Sequence, residues 1–264
     1  MRVLTWNVNR ANRTRACWEY LAAQSPDIAF IQEVSEVPDW VNAQFAGRFE
    51  TPITKDGREQ RFRNAMLVRG DLLSSIPFPA SREWISDELE RFRGNVFANR
   101  VRLTSGLHVN LVLVYSPAWP VATAHLPPDE ANALKIPPDR SLWVTDLLLD
   151  SLRLLARDTS LPWIVAGDFN LSETFDRKQG PRGNRKFLEY LNDLQFTECL
   201  RHHCGEITPT FKHSRGYVED QIDHLFVTPT LTAQLKDCWV PPREEIFDPV
   251  PRLSDHLPII ADFG

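Results

Sequence analysis

Pro162-Trp163-Ile164-Val165-Ala166-Gly167-Asp168-Phe169-Asn170 carries the pattern on which the chain turns. A short apolar run with β-branched residues, opened by proline and stopped by glycine, reads as a buried central strand. It delivers two polar side chains, Asp168 and Asn170, at its carboxyl end. Residues two apart on an extended backbone point the same way, so a carboxylate and a carboxamide would face one cavity. Such a pair suits orienting a water and holding charge that develops in a transition state. The plainer reading of the same residues is an Asx turn that closes the strand.

Working outward, the pattern of an apolar strand with a polar end recurs. Arg2 to Trp6 reads as a strand ending at Asn7-Val8-Asn9, with two same-facing amides. Asp27 to Gln32 is a second buried strand, and Glu33 at its end is poorly placed for a core but well placed for a cation or for solvent. Leu107 to Tyr115 alternates, with Leu107, Val109, Leu111, Leu113 and Tyr115 on one face, so Tyr115 ends level with Asn7, Glu33 and Asp168. Ile222 to Val227 carries Asp223 and His224, and Ser254-Asp255-His256 precedes a last strand, Pro258 to Asp262. Between these, the spacing predicts a helix from a Thr14 cap to about Ala23, a short helix over Pro38 to Phe45, and strands over Asn64 to Val68 and Asn95 to Leu103. A helix over Ser141 to Arg157 has Val144, Leu148, Leu152 and Leu155 on one stripe, and another buries Phe187, Leu191 and Leu194. Pro117, Pro120, Pro127, Pro128, Pro137 and Pro138 exclude regular structure from Ser116 to Arg140, a stretch long enough for a binding loop and carrying Trp119 and His125.

The bulk properties narrow the class. The chain has 264 residues, 42% hydrophobic and 25% charged, which is ordinary globular composition. A net charge of −5 argues against a polycationic mode of nucleic-acid binding. Cys17, Cys199, Cys204 and Cys238 give no disulfide framework, which fits a reducing compartment. The first strand leaves no room for a secretory signal, and no apolar run approaches membrane-spanning length. A cytoplasmic monomer without membrane contact is expected. Arg177, Lys178, Arg182, Arg185 and Lys186 form the most basic stretch, either a solvated face or a clamp for phosphates. Cys199, His202, His203 and Cys204 lack the spacing of a zinc knuckle. With no repeat or linker, the pattern favours one domain of two sheets with helices outside.

The ordered set Asn7, Glu33, Tyr115, Asp168, Asn170, Asp223, Asp255 and His256 resembles the endonuclease/exonuclease/phosphatase superfamily of metal-dependent phosphoesterases over essentially the whole chain. The matching segments are Trp6-Asn7-Val8-Asn9, Gln32-Glu33, Tyr115-Ser116-Pro117, Gly167-Asp168-Phe169-Asn170, Gln221-Ile222-Asp223-His224 and Ser254-Asp255-His256-Leu257-Pro258. The resemblance implies an α/β (α+β) fold, a four-layer α-β-β-α sandwich of two mixed β-sheets, with residues 1–264 as one domain. It implies Mg²⁺ or Mn²⁺ at Glu33, helped by Asn7, Asn9 and Asp255, and oxygen-only ligands suit such hard cations better than zinc. Asp168 is then the residue that activates water, with Asn170 fixing its carboxylate and donating to the phosphoryl oxygens. Asp223 holds His256 protonated against the phosphate. Tyr115 donates to the phosphate or steadies the leaving oxygen, and Asn7 counts among the catalytic group as well.

Tyr115 stands where pancreatic-type deoxyribonucleases and inositol-phosphate phosphatases have histidine, which points to the exonuclease III and abasic-site endonuclease branch. Ala118 and Val34-Ser35 replace that branch's usual asparagine and lysine, and Asn9-Arg10-Ala11 lacks its glycine, so a dedicated abasic-site repair role is not expected. The expected activity is a nuclease acting on DNA or RNA, with Arg177, Lys178, Arg182, Arg185 and Trp119 following the backbone. A phosphoesterase for a small, nucleotide or lipid phosphate is the alternative, and a catalytically dead binding module the third.

Overall fold

The computed structural model describes residues 1–178, 180 and 183–264. In chain order the elements are β1 (Arg2–Ala11), α1 (Cys17–Gln24), β2 (Ile28–Val34), α2 (Asp39–Asn42), β3 (Ala46–Glu50), β4 (Arg63–Val68), β5 (Gly70–Ile76), α3 (Glu83–Arg91), β6 (Val96–Leu103), β7 (His108–Tyr115), α4 (Pro128–Leu134) and α5 (Val144–Leu155). They continue with β8 (Trp163–Asp168), α6 (Glu173–Lys178), α7 (Asn184–Asp193), β9 (Thr197–Glu198), α8 (Cys199–Cys204), β10 (Phe211–Lys212), β11 (Val218–Asp220), β12 (Asp223–Val227), α9 (Pro229–Thr232), β13 (Leu235–Trp239), α10 (Arg243–Phe247) and β14 (Ile259–Phe263).

Period-two alternation sorts the apolar side chains of these strands into three layers. Val3, Ile28, Phe30, Met66 and Ile259 from one sheet meet Val109, Leu111, Leu113, Ile164, Ala166 and Leu225 from the other, forming the central core. The next residues along, Leu4, Ala29, Ile31, Leu67 and Ile260, face outward under Trp18 and Leu21 of α1 and Ile246 of α10. On the far side Val112, Val114, Trp163 and Val165 lie under α3, α5 and α7. The result is a four-layer α-β-β-α sandwich of two mixed six-stranded sheets, ordered β13-β14-β1-β2-β4-β3 and β5-β6-β7-β8-β12-β9. Strands covered on both faces are apolar throughout, which is why the Ile164 to Ala166 run has no polar residue.

Each sheet holds one parallel pair among the described residues, β1 with β2 and β7 with β8. A parallel pair needs a crossover. Helix α1 supplies the first, and α4 with α5 the second. In these pairs Asn7 lies opposite Gln32 and Tyr115 opposite Asp168, so both pairs end with polar side chains at their carboxyl ends.

Several expectations change. Strand β1 does not stop at Asn7 but continues to Ala11 beyond a register shift. Helix α1 starts at Cys17, because the Thr14 hydroxyl donates to Asn12 Oδ1 at 2.7 Å within a preceding turn instead of capping the helix. The proline-rich stretch is not wholly irregular. Helix α4 forms inside it with Pro127 before its first turn and Pro128 within it, where a missing N–H costs nothing. Strands β3 and β5 and helix α3 had no counterpart in the sequence reading; Ile85 and Leu89 of α3, four apart and both buried, were its available signal.

Gly167 explains how β8 reaches its end. Its φ is +149°, and a Cβ there would lie 1.8 Å from the Val114 carbonyl oxygen of β7. Only glycine allows the strands to approach this closely one residue before Asp168. Gly167→Ala is therefore expected to lower unfolding free energy by ~3 kcal/mol or more, the upper end of ordinary overpacking costs. Urea denaturation with a cost below ~1 kcal/mol would show that the sheet yields at this point.

Candidate active site

The polar side chains reach the cleft because strands break regularity where they arrive. Asn9, Arg10, Glu33 and Asn170 all have left-handed backbones, with φ of 48°, 57°, 57° and 48°. The β1–β2 register slips between Asn7 and Ala11, and the β2–β4 register slips between Ile31 and Val34, so Asn9 and Glu33 leave the pleat. Two strand ends use the same local device. Asn7 Oδ1 accepts the Asn9 N–H at 3.0 Å, and Asp168 Oδ1 accepts the Asn170 N–H at 2.9 Å, each an Asx-type turn. The turn reading and the paired-side-chain reading of 167–170 thus describe one arrangement.

A cleft of about 360 Å³ collects Asn7, Asn9, Glu33, Tyr115, Asp168, Asn170, Asp255, His256 and Trp119. Asn7 Nδ2 bridges two acids, donating to Asp168 Oδ2 at 3.0 Å and Glu33 Oε1 at 3.3 Å. Its oxygen accepts the Asn9 N–H and keeps a second lone pair, so Asn7 orients the carboxylates and still has an oxygen that could meet a cation. The Tyr115 hydroxyl donates to Glu33 Oε1 at 3.0 Å. Burial, then the charges of Glu33 and Asp168, hold that phenol well above its ordinary range, so it stays a donor. Asn170 fixes the Asp168 carboxylate through its backbone rather than its side chain. One hydrogen of its Nδ2 goes to the Ser116 carbonyl at 2.8 Å, and the second is left for a ligand.

Asp168 and Asp223 are cross-strand partners of β8 and β12, an arrangement that like charges disfavour. His256 resolves it. Its Nδ1 faces Asp223 Oδ2 at 2.9 Å, and ligand atoms of all three residues lie within 4.8 Å of one another. Burial alone would lower the imidazole pKa, but the charge and hydrogen bond of Asp223, with Asp168 and Asp255 adding, carry it up to about 10. Burial pushes the Asp168 carboxyl up to about 7, with His256 and the Asn7 hydrogen bond pulling against it and Asp223 adding to the rise. The two shifts have opposite origins: burial raises the acid against the pull of His256, and the acids raise the imidazole against burial. A protonated imidazolium is a poor metal ligand, so a charged His256 suits proton handling and electrostatics better than metal coordination.

The oxygen atoms that could hold a divalent cation lie beside it. Among the described residues, Arg10 is the polar neighbour of Glu33 Oε2, at 3.7 Å, and Asn9 and Asp255 border the same space. This all-oxygen set fits a hard cation. Asp255 is 3.8 Å from Arg252.

The basic stretch is placed elsewhere. Lys178 pairs with Glu219 and Asp220, each at 2.9 Å, and Arg185 with Glu189 at 2.8 Å, one turn along α7. Neither they nor the exposed Arg177 line the cleft, and Arg182 lies outside the described residues. Cys199 is buried while His203 reaches outward to Asp237 at 3.0 Å, so α8 gathers no metal site among the described residues. His224 is buried behind the site, with Nε2 3.0 Å from the Leu171 carbonyl.

Sequence reasoning missed the residues that aim the others. Asn64 Oδ1 accepts the Glu33 N–H at 3.2 Å, and Thr210 Oγ1 donates to Asp223 Oδ2 at 2.7 Å. Ser254 Oγ donates to the Asn7 carbonyl at 2.6 Å and accepts the His256 N–H at 3.0 Å, joining the two ends of the chain. Phe211 packs on the imidazole with ring centroids 4.8 Å apart. Ser254 stood inside a quoted motif and was the one visible signal among them.

Residues 4–256 match the model of the Endonuclease/Exonuclease/phosphatase family. The chain belongs to that family and is a hydrolase of phosphoester bonds. No curated protein matches it in sequence. Among solved structures it is similar to an AP endonuclease from Archaeoglobus fulgidus, at 18% identity and TM-score 0.70, covering 100% of this chain and 99% of that one. It is also similar to the 3' phosphatase NExo from Neisseria bound to a product DNA hairpin, at 21% identity and TM-score 0.66 over 100% and 99% of the two chains. The AP endonuclease LMAP from Leishmania major follows the same course at 15% identity and TM-score 0.64, over 98% and 86%. At these identities the likeness is one of fold.

The site predicts a bell-shaped pH profile for hydrolysis of a simple diester, rising near pH 7 as Asp168 ionises and falling toward pH 10 as His256 deprotonates. Asp223→Asn removes the anion that keeps His256 charged and should move the alkaline limb down by roughly 1–3 units. An unmoved limb would separate His256 from the chemistry. The raised native pKa of His256 also has a sign for stability: the native state keeps a proton that the unfolded chain releases above the ordinary histidine value of 6.5. This contribution is full below 6.5 and is lost toward pH 10.

Proposed function

We propose that residues 1–264 form a single-domain, Mg²⁺- or Mn²⁺-dependent phosphodiester hydrolase that cleaves nucleic acid by in-line attack of water on phosphorus. The observation that carries this reading is the buried Asp168–His256–Asp223 group opening into the same cleft as Glu33, Asn9 and Asp255. Glu33, with Asn7, Asn9 and Asp255, would hold the cation, and the Asn7 amide N–H and Tyr115 hydroxyl would orient Glu33. A bound divalent ion supplies neutralisation of charge on the nonbridging phosphoryl oxygens.

The chain's own groups account for the rest. Asp168, held by Asn7 and the Asn170 amide, takes the proton of the attacking water. Its raised pKa places it where a general base is effective near neutral pH. Protonated His256 faces the phosphate with positive charge, the free Asn170 amide hydrogen donates to a phosphoryl oxygen, and the Tyr115 hydroxyl is placed to steady the leaving oxygen. The similar Neisseria enzyme holds a DNA hairpin, which supports a nucleic-acid substrate. Trp119, which lines the cleft, is the residue for stacking, and the exposed Arg177 would meet the nucleic-acid backbone outside it.

One observation favours a small phosphoester instead: Lys178 and Arg185, two cations of the expected clamp, are engaged with neighbouring acids. Salt separates the two readings. Cleavage of an oligonucleotide held by several phosphates should fall steeply between 50 and 200 mM salt, about tenfold or more, whereas hydrolysis of bis(p-nitrophenyl) phosphate should change little. Equal salt dependence of both would favour the small ester.

Asp168→Asn should lower turnover by roughly 10²–10⁴-fold with the fold intact, and near wild-type turnover would remove the base from Asp168. Tyr115→Phe should weaken Mn²⁺ binding, read by electron paramagnetic resonance, on the order of tenfold, because Glu33 loses its orienting donor. Unchanged binding would place the cation away from Glu33.

A further inference from the structure

A second cavity, of about 230 Å³, adjoins the catalytic cleft, and Pro117, Ala118 and Asn170 line both spaces. It holds several times the roughly 30 Å³ share of one water, enough for a planar heterocycle. Its apolar walls include Trp143, Phe169, Phe175 and Phe187. The polar groups in it are unequal. Asp139 is fully engaged, accepting the Ser141 N–H at 2.8 Å and the Trp143 indole N–H at 2.9 Å, which pins the indole. Asp146 is not. Its Oδ2 accepts the Trp143 backbone N–H at 2.8 Å at the start of α5, while Oδ1 has no protein partner among the described residues. The residue is 4% exposed and lines the cavity. Oδ1 is not among the fully enclosed side-chain oxygens that lack a partner among the described residues, so it is open to the cavity space, where water or a ligand's donor can meet it. The helix cap accounts for one oxygen and leaves the other without a structural reason. Burial has already pushed this carboxyl up to about 7.

We propose that this cavity receives the nucleobase attached to the scissile phosphate, a base with an exocyclic amino group that donates to Asp146 Oδ1 while its ring packs among the aromatic walls. The proposal rests on the phosphodiester-hydrolase reading and names its substrate more closely. Asn170 separates the two spaces, so phosphate at Asp168 and base beside Asp146 are one side chain apart. Other occupants fit less well. A second phosphate would meet the carboxylates of Asp139 and Asp146, and an acyl chain would leave Oδ1 unpaired. Thymine and uracil lack an exocyclic amino group, and their one ring N3–H donor is flanked by two carbonyl oxygens that the acid repels.

The test needs no catalysis. Metal-free protein is titrated calorimetrically with deoxyadenosine, deoxycytidine and thymidine. One of the first two is expected to bind roughly tenfold more tightly than thymidine. Asp146→Asn keeps a carbonyl oxygen for the Trp143 N–H but turns the free position into a donor, and should bring that preference below roughly threefold. Ala118→Trp, at an exposed position on the shared rim, should block all three nucleosides, and it decides the matter alone if circular dichroism shows Asp146→Asn unfolded. Absence of binding at millimolar nucleoside, equal binding of all three, a preference unchanged in folded Asp146→Asn, or binding that survives Ala118→Trp would each overturn the proposal. Hydrolysis of bis(p-nitrophenyl) phosphate with Mn²⁺ is measured in parallel on the wild type. Its absence would overturn the hydrolase reading, while the calorimetry still decides the pocket.

Discussion

Two pairs of parallel strands that end level with each other are the constraint on which the rest of this structure depends. β1 with β2 and β7 with β8 lie in different sheets, and the shared core of Val3, Phe30, Leu111 and Ile164 fixes how those sheets stack. Their carboxyl ends deliver Asn7, Glu33, Tyr115 and Asp168 from four places in the chain. β12 then enters antiparallel to β8 and sets Asp223 across from Asp168. The loop before β14 adds His256, tied back to β1 by the Trp6 indole N–H, which donates to the His256 carbonyl at 2.8 Å. A relative shift of either sheet would separate groups that are useful only together.

The electrostatics follow from that convergence. Two facing acids would repel in a buried place, and a protonated imidazole between them makes the arrangement tolerable. Burial raises the Asp168 carboxyl while the neighbouring acids raise the imidazole, so the two groups titrate far apart although they lie in one cluster. Glu33 is held apart by Asn7 and Tyr115, which satisfy one of its oxygens and leave the other open. The two clusters are distinct in composition, one an acid–imidazole trio and the other a carboxylate bordered by oxygen atoms, and Asn7 touches both.

Much of this was legible because burial on both faces leaves an unmistakable mark. The runs at Ile28 to Ile31 and Ile164 to Ala166 could only be central strands, and the polar residue after each pointed to the site. The helix over Val144 to Leu155 was equally plain from its stripe. What could not be read was backbone departure from regularity. Asn9 is of a type that enters the left-handed region readily, but nothing in Arg10 or Glu33 announces it, so β1 seemed to stop early. Local rules also compete: Thr14 suits a helix cap but bonds to Asn12, and prolines that forbid a helix interior are welcome in the first turn of α4. Asn64 and Thr210 were invisible for another reason. They act through single hydrogen bonds to residues far away in sequence, and a lone polar residue in a strand or loop carries no period.

The left-handed residues at the strand ends have a bearing on how this chain tolerates change. Asn adopts that conformation readily, whereas Arg10 and Glu33 do so against the preference of their side chains, at about 1–2 kcal/mol each. Glycine would relieve both. Selection for heat resistance alone would thus drift toward glycine at these two positions, and at Glu33 it would discard the carboxylate that the cleft is built around. Arg10 is the position where rigidity and chemistry do not conflict so directly, and thermal hardening of this scaffold has room there that it lacks a few ångströms away.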